Sequence, residues 1–101
     1  MIVIQVIDED GIVEEKIGEV TEKELLEFIN TCEKRNLKCL SFLDIGSDTI
    51  FNEKQLYQIK KEVTELEKDK QINQHILQLI KNGIKSALSD VFLYLIFRSS
   101  N

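Results

Sequence analysis

The sequence predicts an α+β fold: a mainly antiparallel sheet of about four strands with three helices, in the order β-β-α-β-α-α-β. Three observations carry this. Two short apolar segments open the chain on either side of an acidic turn, three later stretches hold apolar residues at helical spacing, and an unbroken apolar run closes it.

The opening pair is Ile2 to Ile7 and the segment from Val13 onward. A two-residue turn at Asp10-Gly11 would pair Val6 with Glu15 and Ile7 with Glu14, scattering carboxylates over both faces. A four-residue loop, Asp8-Glu9-Asp10-Gly11, places Ile2, Ile4, Val6, Val13 and Ile17 on one face and Gln5, Glu14 and Lys16 on the other, with Glu15 the exception. Side-chain polarity favours the second register.

Thr21 followed three residues later by Glu24 is a capping box, and Leu25, Leu26, Phe28, Ile29 and Cys32 then mark a helix over residues 22–34. A basic, polar break at Lys34-Arg35-Asn36 follows. The run Cys39 to Leu43 reads as the third strand, ending in the turn-rich Asp44-Ile45-Gly46-Ser47-Asp48. Asn52 with Gln55 repeats the capping logic, and Leu56, Ile59, Val63 and Leu66 draw a narrow stripe along a second helix. After Lys68-Asp69-Lys70-Gln71, the residues Ile72, Ile76, Leu79, Ile80, Ile84 and Leu88 give a third helix that should fray near Asn82-Gly83. Val91 to Phe97, bounded by Asp90 and Arg98, is apolar on both faces (Val91, Leu93, Leu95 and Phe97 against Phe92, Tyr94 and Ile96). It is expected to be a central strand whose second side is covered by something else, a partner or a second copy.

A chain of 101 residues makes one domain, residues 1–101, and can bury something over ~60% of the surface it exposes when unfolded. With 43% apolar and 31% charged residues, four glycines and no proline, it has the composition of a soluble globule. The amino terminus has no basic flank and soon turns acidic, so a cytoplasmic location is expected, with Cys32 and Cys39 as free, partly buried thiols. No cofactor and no metal are expected.

Charge is divided unevenly. Residues 1–50 hold twelve Asp or Glu against five Lys or Arg, a net of −7, and residues 51–101 hold six against eight, a net of +2. A one-sided negative field repels nucleic acid and membrane phosphate and attracts basic proteins. The acids Asp8, Glu9, Asp10, Glu14, Glu15, Glu19 and Glu22 are the expected contacts with such a partner, with Asp44 and Asp48 as secondary candidates.

Catalysis has little support. Asp44, Asp48, Thr49 and Asn52 gather side-chain oxygens beside a helix start, but a cation site recruits further ligands and acid/base work wants a nucleophile or histidine nearby. Loop hydrogen bonding and a helix cap account for them better. His75 stands alone and reads as a surface residue, and the chain has no Gly-rich phosphate loop, GxSxG elbow or HExxH pair.

The segment Leu43 to Gln55 resembles a pattern of small bacterial proteins, written I-D-x-x-G-D-T-x-F-N-x-x-Q, and Tyr94-Leu95-Ile96-Phe97 resembles that family's closing strand. Ser47 stands where the family has glycine, and Arg98-Ser99-Ser100-Asn101 replaces its terminal glycine-aspartate. The resemblance is to immunity proteins of bacterial toxin systems, contact-dependent growth inhibition among them. It implies a cytoplasmic inhibitor, not an enzyme, that occludes one cognate toxin domain. A basic nuclease domain fits the charge. The alternative expectation is a homo-oligomeric or scaffolding module that buries Phe92, Tyr94 and Ile96 against a copy of itself.

Overall fold

In the computed structural model of the chain, which describes residues 1–99, the elements run β1 (Ile2–Ile7), β2 (Val13–Val20), α1 (Glu22–Lys34), a 3-10 turn (Leu40–Phe42), β3 (Thr49–Phe51), α2 (Glu53–Leu66), α3 (Gln74–Ala87) and β4 (Tyr94–Ser99). The four strands form one antiparallel sheet in the order β2-β1-β4-β3. This is the α+β fold and the element order that the sequence predicts. α1 and α2 begin where expected, each on a complete capping box, Thr21 with Glu24 and Asn52 with Gln55.

Antiparallel partners share a face, so the register sorts the side chains. Ile2, Ile4 and Val6 of β1, Val20 of β2, Phe51 of β3 and Leu95 and Phe97 of β4 lie on one face. They join Leu25 and Phe28 of α1, Leu56 and Ile59 of α2, and Ile76 and Ile80 of α3 in one buried cluster. The rings of Phe51 and Phe97 meet edge to face at 6.0 Å. The other face carries Val3, Gln5, Ile7, Ile50, Tyr94, Ile96 and Arg98, and none of these belongs to that cluster.

β4 is central, yet no second layer covers it. Ile96 is only 2% exposed, because Gln5 and Ile50 flank it across the strands while Tyr94 and Arg98 flank it along its own. Gln5 and Arg98 have aliphatic stems long enough to shield it. The Oε1 of Gln5 and the Nε of Arg98 are buried on this face with no hydrogen-bond partner.

Four expectations need correction. Cys39 to Leu43 is not a strand but contains the 3-10 turn, and the third strand comes after the loop, at Thr49–Phe51. The reason lies on α2: the buried Glu62 carboxylate accepts from the backbone N–H groups of Cys39 and Leu40, taking donors that a ladder would need. The last strand begins at Tyr94 rather than Val91, because Phe92 turns the chain with φ of 64°. α3 does not fray at Asn82-Gly83 but continues to Ala87, with Gly83 buried where a Cβ would stand 2.7 Å from Leu95 Cδ1.

The hairpin register is the fourth. Val6 faces Glu15 and Gln5 faces Lys16, the pairing that polarity disfavours, and shifts between Ile4 and Gln5 and between Val6 and Ile7 then bring Ile7 opposite Val13. Bulges absorb the conflict. Glu15 is tolerated on the helix side because it lies on an edge strand, remains exposed, and accepts a hydrogen bond from Ser86 Oγ of α3.

Candidate functional site

The hairpin tip is built around Asp8, whose Oδ1 accepts from the backbone N–H groups of Asp10 (2.9 Å) and Ile12 (2.9 Å). Gly11 takes φ of 82°, a left-handed conformation that glycine adopts without cost. Glu9 and Asp10 project into solvent. The tip acids thus split by role: Asp8 holds the loop, and its two neighbours carry free-standing charge.

β2 continues this charge along the sheet's outer edge. Glu14, Glu15 and Glu19 are exposed, and Glu19 pairs with Lys16, whose ammonium holds the Glu19 carboxyl below the usual carboxylate range. Glu22 stands exposed in the first turn of α1, where negative charge complements the helix dipole. Beside it, hydrogen bonds from the backbone and hydroxyl of Thr21 lower the Glu24 carboxyl. Asp8, Glu9, Asp10, Glu14, Glu15, Glu19 and Glu22 therefore fringe a single edge, from hairpin tip to helix start.

Asp44 and Asp48 are not part of that fringe. They precede β3, on the opposite edge of the sheet. Asp44 accepts from the Gly46 N–H (2.8 Å) and the Ser47 hydroxyl (3.1 Å), closing a local turn. Asp48 accepts from the Ser99 N–H at 2.9 Å and so fastens the end of β4, which pairs with Ile2 at the end of β1 remote from the tip. Asn52 and Gln55 form the α2 capping box, and Phe51 is buried in the core. Every one of these motif positions has a structural task. Of the atypical chain ending, Arg98 and Ser99 belong to β4, and Ser100 and Asn101 lie outside the described residues.

Among the described residues, no group of three or more His, Cys, Asp or Glu side chains converges on a metal-sized space. His75 is exposed on α3. Burial, reinforced by the Glu62 carboxylate, pushes the Cys32 thiol up to about 12, and the same two causes raise Cys39. Both cysteines are free and stay protonated at neutral pH, the unreactive form. No helix among the described residues is long and apolar enough to cross a membrane.

Sequence reasoning marked Phe92 only as part of a strand face that a second copy could bury, and passed over Ile12 and Tyr57. Ile12 (61%), Tyr57 (53%), Val91 (61%) and Phe92 (62%) are all strongly exposed. Tyr57, Phe92, Leu93 and Tyr94 line a groove together with Asn52 and Lys54. Tyr57 gave one signal, an aromatic standing just off the Leu56 and Ile59 stripe. Phe92 was read as one of the strand face it shares with Tyr94 and Ile96, and its turn gave no signal because no glycine interrupts the apolar run. No protein-family model matches the chain, and no curated protein or solved structure does so either.

Proposed function

We propose that this chain is an immunity-type inhibitor, a cytoplasmic protein that binds one cognate toxin domain and neutralises it by stoichiometric occlusion. One observation supports the reading: Glu9, Asp10, Glu14, Glu15, Glu19 and Glu22, six of the exposed acids, follow one another from the hairpin tip along the β2 edge to the start of α1. A nuclease holds phosphate on a basic surface, and a compact acidic edge can occupy that surface with steered association and charge-assisted hydrogen bonds. The resemblance of the Leu43 to Gln55 segment to immunity proteins supports the same reading, and so does the chain's net charge of −5.

The test is co-expression with the toxin domain encoded beside the gene. Glu9, Asp10 and Glu14 are reversed to lysine together. All three are exposed, so the melting temperature is expected to hold while affinity falls on the order of 100-fold and protection is lost. Undiminished protection by the reversed protein, or a gene neighbourhood encoding no toxin, sinks the proposal.

A second reading, a self-associating module, draws on the sheet face that no helix covers, where Ile50 (51%) is exposed. A monomer by light scattering at millimolar concentration counts against it.

A further inference from the structure

Five of the nine large apolar side chains exposed among the described residues, Ile12, Val13, Tyr57, Val91 and Phe92, belong to one end of the sheet. The register fixes this placement. Ile7 pairs with Val13 on one side and Tyr94 on the other, so the hairpin and the Phe92 turn leave the same end, about 10 Å apart at two strand spacings. Tyr57 joins them across the groove it shares with Phe92. Scattered surface apolar residues need no explanation, but a gathered set rimmed by charge is the anatomy of an interface. Here Glu9 and Asp10 are exposed on the hairpin at that end, Asp90 directly precedes Val91, and Glu53 and Lys54, of opposite charge, both line the groove.

Phe92 is the centre of the set. A non-glycine residue at φ of 64° holds a costly backbone conformation, and a large aromatic that is 62% exposed gains little packing to offset it. Aromatic side chains with groove space beside them are the commonest anchors of protein interfaces.

We infer that this end of the sheet, with Phe92 and Tyr57 as anchors and Glu9, Asp10 and Asp90 as rim, is the docking surface for a polypeptide that presents an aromatic or aliphatic side chain flanked by Lys or Arg. The inference rests on the inhibitor reading and names the part of the molecule that makes contact. A second copy of the chain is the less favoured occupant, because it brings another hairpin of acids against the same rim in a protein already at −5.

The probe is a displayed library of random dodecapeptides, selected on the immobilised wild-type chain and measured against Phe92→Gly and Tyr57→Ser. Glycine relieves the left-handed strain, so Phe92→Gly is expected to melt no lower than wild type while binding selected peptides at least about tenfold more weakly. A merely structural Phe92 gives the opposite pattern, a lower melting temperature with binding retained. Selected peptides are expected to carry basic residues around an apolar one. Failure to enrich, peptides without basic residues, or equal binding by both variants overturns the inference. So does a dimer by light scattering that Phe92→Gly dissolves, which assigns the surface to a second copy. The two proposals fail separately: if the doubly substituted chain protects against the toxin undiminished, the docking surface is wrong and the inhibitor stands. If peptides select as expected but no toxin is neutralised, the inhibitor is wrong and the surface stands.

Discussion

Glu62 is 2% exposed, the one fully buried charged side chain among the described residues, and its oxygens are well occupied. Besides the Cys39 and Leu40 amides it accepts from Gln58 Nε2 at 3.0 Å, so one carboxylate ties α2 to the 3-10 turn. Removing it leaves buried amides without acceptors, and Glu62→Ala is expected to cost about 2–3 kcal/mol in urea unfolding. A loss below about 0.5 kcal/mol would mean that water replaces the carboxylate. The same group helps burial to raise Cys32 from an unfolded value of 9.0 to about 12. A raised folded pKa contributes stability below the unfolded value that is lost as pH climbs. Stability should therefore decline between about pH 9 and 12, and Cys32→Val should flatten that decline when unfolding is compared at both ends of the window. Glu62 left a trace in the sequence, a carboxylate three residues after Ile59 and four before Leu66, within the apolar stripe. Its effect on the third strand was not legible, because it acts across 22 residues of chain on backbone that reads as a strand by composition.

At the scale of elements, the structure rewards local rules where local chemistry decides and departs from them where distant packing does. Both capping boxes and the start of α1 were readable because the partners lie three residues apart. β3, the hairpin register and the start of β4 were not, since each depends on an atom elsewhere: the Glu62 carboxylate, the Ser86 hydroxyl, or the turn at Phe92. Gly83 is the clearest case. Mid-helix glycine predicts fraying, yet α3 crosses the sheet so closely there that only a missing side chain leaves room for Leu95, itself fully buried. Alanine at this position gains about 1 kcal/mol of helix propensity and meets an overpacking cost of about 1–3 kcal/mol. Gly83→Ala is accordingly expected to lower the melting temperature despite the better helix former, and a rise would show that Leu95 can swing aside. Of the candidate site, the acids on the hairpin and β2 were legible from charge alone, and Phe92 as part of an apolar face, whereas its grouping with Tyr57 was not, because that is a property of the folded sheet.

For the whole molecule, the helices cover one face of the sheet only, and a run of acids lines its β2 margin. β2 spans eight residues and pairs only with β1, so the backbone groups along its other side have no sheet neighbour. An unpaired margin of that length is a template for addition of further chains, and like charge is one of the devices that prevents it. The exposed carboxylates of Glu14, Glu15 and Glu19 on this strand supply such like charge against fibrous assembly. Replacing Glu14, Glu15 and Glu19 together by glutamine withdraws that guard while the apolar core is untouched. The substituted chain should form thioflavin-positive aggregates while far-ultraviolet circular dichroism still reports a folded protein. A chain that stays monomeric until it unfolds would mean that the bulged, twisted strand protects itself by shape, leaving its charges free for recognition alone.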